Sequence, residues 1–183
     1  MAKKIPYGLT DYVLVMTDNY YYVDKTQYID LLEQTGRFLF LIRPRRLGKS
    51  LFLNMLNCYY DVKYADRFEE LFGNQYIGKH PTAEQGKYLV LRFNFSMVRA
   101  TDDKLEAAFN RHISLETAYF ASVYASYFKP DFQEQLKLIP EAAGRLEYIC
   151  LCAKEQGLSI YLLIDEYDNF TNTILSSKGN DVY

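Results

Sequence analysis

The stretch FLFLIRPRRLGKSLF, residues 38–52, most constrains what this chain can fold into. It joins a continuous apolar run to a basic turn ending in Gly-Lys-Ser, and an apolar segment of helical character follows. A short apolar run before a turn is typical of a strand buried on both faces. Strand, tight turn and helix in this order direct the first N–H groups of the helix at a bound anion. We therefore predict a strand over 38–42, a phosphate loop over 43–48 and a buried helix over 49–60.

The expected phosphate cradle is six consecutive residues, Arg46, Leu47, Gly48, Lys49, Ser50 and Leu51. Gly48 lets the backbone approach an anion without a side chain in the way. Lys49 is expected to reach the β- and γ-phosphates, and the Ser50 hydroxyl to bind Mg²⁺. The alternative is a basic surface turn that binds nothing.

The entry to this loop departs from the usual GxxxxGK pattern, because Arg43 stands where the first glycine is expected. Pro44 biases the preceding residue toward extended dihedrals, so the entry is expected to be reshaped but not forbidden. Four arginines surround the loop: Arg37, Arg43, Arg45 and Arg46. One or two of them could contact phosphates, since guanidinium groups suit bidentate contact, and Arg46 is the nearest to Gly48. The alternative is a solvated turn.

A second motif lies near the end of the chain, where YLLIDEYDN, residues 161–169, places two carboxylates after an apolar strand. An apolar strand followed by aspartate is the Walker B pattern, which predicts Asp165 as a metal ligand. Glu166 is the candidate catalytic residue, as the general base that polarises an attacking water. Asp168 is a weaker site candidate and, with Asn169, could cap the next helix. The alternative for both carboxylates is a polar strand end.

The remaining chain alternates helical and strand-like segments. We predict an irregular region over 1–22, helices over 25–35, 64–72, 101–128 and 140–156, a loop over 73–86, and strands over 87–95 and 159–164. The first of these helices is expected to start from an Asp24–Gln27 capping pair and to end at Gly36. This order predicts an α/β domain with a mainly parallel sheet, here the three-layer αβα fold of P-loop NTPases.

Composition narrows the class of protein. Apolar residues make up 49% of the 183 residues and the net charge is −2, which favours a folded domain over a disordered or strongly basic one. Three cysteines and two histidines without regular spacing argue against a disulfide scaffold or a zinc site. The N-terminus does not read as a signal peptide and no apolar run has membrane-spanning length, so we expect a cytoplasmic protein without a membrane partner.

Four segments together resemble the bacterial AAA-ATPase-like family: IPYGLTDY (5–12), YYVDKTQYIDLL (21–32), LIRPRRLGKSLFLNML (41–56) and YLLIDEYDNF (161–170). The family has a YVDKT segment before an RPRRFGKS loop, and many members carry a C-terminal nuclease-like domain of the PD-(D/E)XK class. Arginine at the position of Arg43 is usual there, and Leu47 replaces a preferred phenylalanine. The resemblance implies nucleotide binding and ATP hydrolysis, but gives no substrate.

The last residues, NFTNTILSSKGNDVY after Asp168, lack a useful apolar strand run. In this ATPase branch a later strand with a polar sensor residue lies between the two Walker strands. We therefore expect residues 1–183 to be the N-terminal part of a P-loop AAA-ATPase-like domain, incomplete at the C-terminus. Nucleotide binding is expected to exceed turnover in this chain.

Three functions remain open from the sequence. The first is a Mg²⁺-dependent ATPase that binds ATP and drives a machine acting with a nuclease-like domain, on a nucleic-acid or protein partner met through the region beyond this chain. The second is a nucleotide-dependent binding or signalling module with little hydrolysis, and the third a phosphotransferase. Residues 22–25 could flank the base, whose identity the sequence does not give. Four aromatic residues at helical spacing are expected in the core: Tyr119, Phe120, Tyr124 and Tyr127.

Overall fold

The structure, a computed structural model, describes residues 3–44, 46–98 and 105–168. It divides into two compact units, Met1–Tyr88 and Leu89–Tyr183. The α-helices of the first unit are α1 (Tyr12–Thr17), α2 (Tyr28–Thr35), α3 (Lys49–Tyr60), α4 (Phe68–Phe72) and α5 (Tyr76–Lys79). The second unit holds β1 (Tyr88–Asn94), which starts at the last residue of the first unit, α6 (Leu105–Val123), α7 (Phe132–Lys137), α8 (Ala142–Glu155) and β2 (Ser159–Asp165). Short 3₁₀ helices cover Val62–Arg67, Phe95–Met97 and Ala125–Tyr127.

Helix α3 is the centre of the first unit, and its predicted bounds are confirmed. Seven of its twelve residues are buried, including Met55 and Tyr59, so the apolar sequence all round this helix reflects its burial. Helix α1 packs on it: the Tyr12 N–H donates to the Asn54 side chain at 2.8 Å. The Tyr12 ring stacks on Phe72 at 5.2 Å between centroids, which ties α1 to α4 as well.

The predicted strand over 38–42 is wrong. This segment has no regular secondary structure, and the side chains of Phe38, Phe40 and Ile42 are exposed. An apolar run shows only that a segment can be buried. Strand formation also needs the backbone of a neighbouring strand, which local sequence does not report. In the described ranges the sheet has two strands, β1 and β2.

Further predictions in the first unit need correction. The predicted loop over 73–86 contains α5, and the predicted helix over 64–72 is divided between a 3₁₀ helix and α4. Residues 1–22 are not all irregular, because Asp11 caps α1 by accepting from the Leu14 N–H at 3.1 Å. The Asp24–Gln27 capping pair is also wrong, since α2 begins after Gln27 without a side-chain cap. The end of α2 at Gly36 is confirmed, with φ 141° at that glycine.

The second unit combines a small parallel sheet with helices, which makes the chain a mixed α/β protein. Strands β1 and β2 confirm the predicted strands, and α8 confirms the predicted helix over 140–156. The predicted helix over 101–128 is α6, which ends at Val123, while residues 99–104 lie outside the described ranges. Helix α7 was not predicted.

The aromatic residues of the α6 region divide between core and surface. Phe120 and Tyr124 are buried, as predicted, whereas Tyr119 and Tyr127 are exposed. The Tyr124 hydroxyl accepts from the Val90 N–H at 3.1 Å and lies 3.4 Å from the Val90 carbonyl oxygen, to which it can donate. One side chain thus serves both backbone groups of a residue in β1.

The prediction about the end of the chain falls on residues 169–183, which lie outside the described ranges. Across residues 3–44, 46–98 and 105–168, none of the helices combines the length and apolar character needed to cross a membrane.

Candidate functional site

The loop before α3 turns tightly at its end. The Leu47 N–H donates to the Pro44 carbonyl at 3.4 Å, and Arg46 within this turn has φ 66°. A left-handed backbone costs a non-glycine residue roughly 1–2 kcal/mol. Arg46, and not Arg43, therefore has the unusual backbone conformation. The pattern of the standard loop, with glycine in place of Arg43, had suggested an unusual conformation at Arg43.

Gly48 forms the junction between this turn and the helix. Its backbone is left-handed, with φ 75° and ψ 27°, and its carbonyl accepts from the Phe52 N–H at 2.9 Å to start α3. Left-handed residues in a turn are the backbone geometry from which anion-binding concavities of N–H groups are built. Among the described residues of this loop, Arg46 and Gly48 are left-handed, and both lie within three residues of the helix start.

The first turn of α3 has the electrostatics of an anion site. It begins with Lys49 and Ser50, both partly exposed, and contains no acidic residue. The first N–H groups of an α-helix have no partners within the helix, and the helix dipole makes that end positive. Three features of this turn therefore suit the binding of nucleotide phosphates: a glycine without a side chain, a lysine, and the N–H groups at the start of a helix.

Arg43 braces the loop entry. Its guanidinium carbon lies 5.6 Å from the ring centroid of Phe52, in the first turns of α3. A cation over an aromatic face contributes about 0.5–1 kcal/mol at partly exposed sites. Arginine at the usual glycine position thus connects the entry of the loop to the helix that follows it. The contact with Phe52 was not predicted from the sequence, which suggested for Arg43 only a possible contact with phosphate.

The segment 22–26 lies beside this loop. The Asp24 carboxylate accepts from the Thr26 N–H at 2.8 Å and from the Tyr76 N–H at 2.7 Å. The Thr26 hydroxyl oxygen accepts from the Ile77 N–H at 3.1 Å, and Thr26 is fully buried. An ideal Cβ built on Gly48 would lie 3.7 Å from the Lys25 ammonium nitrogen. The prediction that residues 22–25 could flank the base placed Lys25 near a bound nucleotide, but it did not pair Lys25 with Gly48.

The carboxylates at the end of β2 lie in the second unit. Asp165 is buried, and one of its oxygens accepts from the Glu166 N–H at 2.9 Å. Glu166 has φ 55°, a left-handed conformation that is uncommon for glutamate and concentrates at functional sites. Asp168 lies in the helical turn that follows, so it does not precede this helix as a cap, and Asn169 lies outside the described ranges.

The other candidates are less distinctive. Arg37 and Arg46 are exposed, and Arg45 lies outside the described ranges. The Tyr22 ring meets Tyr12 edge-on at 5.3 Å, a packing role, and burial raises the pKa of its phenol. In the part of the chain that the structure describes, no three His, Cys, Asp or Glu side chains are grouped as metal ligands. A Mg²⁺ ion held by few protein ligands and by phosphates does not need such a group.

Comparison with known proteins gives one family match. The model of the AAA-ATPase-like family, described as "Predicted AAA-ATPase", matches residues 6–183. A 55-residue stretch is 49% identical to a protein of Azotobacter chroococcum mcd 1 described as "Uncharacterized protein in vnfD 5'region". That stretch covers 30% of this chain and 11% of the relative, so the match spans about a ninth of the relative's length. No solved structure matches the chain.

Proposed function

The chain belongs to the AAA-ATPase-like family, and from this membership we propose that it is the nucleotide-binding module of a Mg²⁺-dependent ATPase. The family implies nucleotide binding. The observation that carries the proposal further is the start of α3, where left-handed Gly48 precedes Lys49 in a helix turn without acidic residues. The proposal includes a P-loop three-layer fold for the domain to which residues 1–183 contribute.

The proposed roles follow from the chemistry of each residue. Residues 46–51 hold the phosphates, with Lys49 on the β- and γ-phosphates. Ser50 and Asp165 are the proposed Mg²⁺ ligands, and the ion, when bound, neutralises charge on the phosphate oxygens. Glu166 accepts the proton of the attacking water as the γ-phosphate bond to the bridging oxygen breaks. A nucleic-acid or protein partner remains part of this proposal.

The binding half of the proposal is tested by calorimetric titration of the protein with MgATP. Lys49→Ala is expected to weaken binding at least about tenfold, because charged hydrogen bonds to phosphate are worth more than about 1.5 kcal/mol. Lys79→Ala, at an exposed lysine of the same unit, is the matched control and should bind as the parent does. Equal affinities for the parent and Lys49→Ala would contradict the assignment.

The hydrolysis half is tested by phosphate release. Glu166→Gln is expected to lower turnover about a hundredfold or more while MgATP still binds, because a general base contributes 10² or more to rate. Glu147→Gln changes an exposed glutamate of α8 in the same way and should leave turnover unchanged. ATP turnover that is unchanged by both Lys49→Ala and Glu166→Gln would contradict the ATPase assignment.

A second candidate is a nucleotide-dependent binding module with little hydrolysis. It is favoured by the exposed apolar side chains of Phe38, Phe40 and Ile42, because contiguous exposed apolar residues are typical of interaction surfaces. Tight MgATP binding without phosphate release, with or without a partner, would support this module over the ATPase.

A further inference from the structure

The position of Lys25 has a consequence for ligand binding. Its ammonium nitrogen is the nearest atom to the place where a Cβ on Gly48 would lie, at 3.7 Å. The side of Gly48 that carries no side chain therefore faces a second cation, the Lys25 ammonium. Lys25 belongs to a segment well separated from the loop in the sequence. Lys25 is partly exposed, so its amine can meet both the loop and a ligand from solvent.

The residues on either side of Lys25 hold it in this place. Asp24 and Thr26 both bind the first turn of α5, through the Tyr76 and Ile77 N–H groups. The Asp24 carboxylate also accepts from the Thr26 hydroxyl at 2.7 Å, which closes the segment on itself. With both neighbours anchored to α5, the Lys25 side chain is turned toward Gly48. The backbone is fixed on both sides, so the cation is already positioned before a ligand arrives.

The electrostatics around Lys25 favour the binding of an anion. The ammonium lies near the positive end of α3, a placement that the helix dipole makes unfavourable. The first turn of α3 offers no acidic residue. Among the ion pairs of the described ranges, none involves Lys25, and the neighbouring Asp24 carboxylate is engaged by Thr26 and Tyr76. A polyphosphate bound in front of Gly48 would attract both the Lys25 ammonium and the positive end of α3, and so offset the repulsion between them.

We propose that Lys25 is a second phosphate-binding cation, which acts with Lys49 on the polyphosphate of a nucleoside di- or triphosphate; this inference rests on the proposed function of the loop. The Asp24-Lys25-Thr26 segment then has two tasks. Its outer residues bind α5, and its central lysine makes the site select for phosphate charge over the nucleoside.

The test is a titration of the parent, Lys25→Gln, Lys25→Arg and the control Lys79→Gln with ATP, ADP and adenosine. Lys25→Gln is expected to bind ATP and ADP about tenfold more weakly. Lys25→Arg should recover part of this loss, and Lys79→Gln should behave as the parent. Without nucleotide, Lys25→Gln should melt at the parent temperature or about 1–2 °C above it, since a cation has left the positive helix end.

The outcomes separate this inference from the proposed function. Parent-like ATP affinity in Lys25→Gln, together with weak binding in Lys49→Ala, overturns the role of Lys25 and leaves the loop intact. A lower melting temperature with equal losses for ATP and adenosine also overturns it, because Lys25 would then be structural. If the parent binds no nucleotide at all, the proposed function fails and this inference fails with it.

Discussion

At the scale of the residue, backbone conformation at Gly48 decides what the loop can do. The glycine has φ 75° at the start of α3, and any larger residue there would carry the left-handed cost. The space beside it is not crowded, since an added Cβ would meet only the end of Lys25 at 3.7 Å. The requirement for glycine at this position is therefore conformational.

Gly48→Ala is expected to lower the free energy of unfolding by roughly 1–2 kcal/mol and to weaken ATP binding, because the loop must leave its left-handed geometry. Gly8→Ala is the matched control: Gly8 has φ 72° and nothing within 4 Å of an added Cβ. It should show a similar stability loss in chemical denaturation and parent-like affinity in calorimetry. Equal affinity in both variants would show that the geometry of Gly48 is not used by the ligand.

The contact between Arg43 and Phe52 gives a physical reason for the departure of this loop from the usual motif. The usual loop has glycine where Arg43 lies, and from the sequence arginine is expected to be tolerated there and to be a candidate for phosphate contact. The contact of its guanidinium with the Phe52 ring, at 5.6 Å, gives this arginine a task in joining the loop entry to α3.

At the scale of the element, side chains complete the hydrogen bonding of the strands. Tyr124 serves the N–H and carbonyl of Val90 in β1, and Val90 is itself buried. Buried backbone groups need partners, so these contacts let β1 persist in a sheet where the described residues provide two strands.

Tyr124→Phe is expected to lower the free energy of unfolding by about 1–3 kcal/mol, because the buried Val90 groups lose their partner. The comparison is Tyr119→Phe, which removes the hydroxyl of an exposed tyrosine in α6, five residues before Tyr124, and should change stability by less than about 0.5 kcal/mol. Denaturant unfolding measures both. Similar values for the two variants would mean that water satisfies Val90 in place of Tyr124.

At the scale of the whole molecule, buried tyrosines link stability to alkaline pH. Burial raises the pKa of Tyr12, Tyr22, Tyr59 and Tyr64, and it raises the pKa of Tyr148 to about 12. The neutral phenol is thus favoured in the folded state. Stability from this source is fully present below the unfolded pKa of 10.0 and is lost as pH rises through the folded values.

The protein is therefore expected to keep constant tyrosine-linked stability below about pH 9 and to lose stability above about pH 10. Urea unfolding at several pH values, with tyrosinate absorbance followed in parallel, measures this. Tyr12 is fully buried, so Tyr12→Phe should flatten the alkaline slope by up to about 1.4 kcal/mol per pH unit, whatever its effect at neutral pH. An unchanged slope in the variant would rule out Tyr12 as a source.

The sequence by itself determined the features that depend on local patterns. Continuous apolar character and the preceding glycine were enough for α3, whose predicted bounds of 49–60 agree with Lys49–Tyr60. Alternation and apolar runs were enough for β1 and β2, and the combined motifs were enough for the family. The roles of Lys49, Ser50, Asp165 and Glu166 remain predictions, because they need a bound ligand to test them.

Only the tertiary structure decided which distant groups meet. The segment 38–42 has the composition of a buried strand and is exposed, because pairing depends on a neighbouring backbone and not on the segment itself. No local pattern pairs Lys25 with Gly48; hydrogen bonds that Asp24 and Thr26 accept from α5 hold the segment that brings the two together. The periodicity of apolar residues indicates which side of a single segment can be buried. Which segments then contact each other depends on the packing of the whole unit.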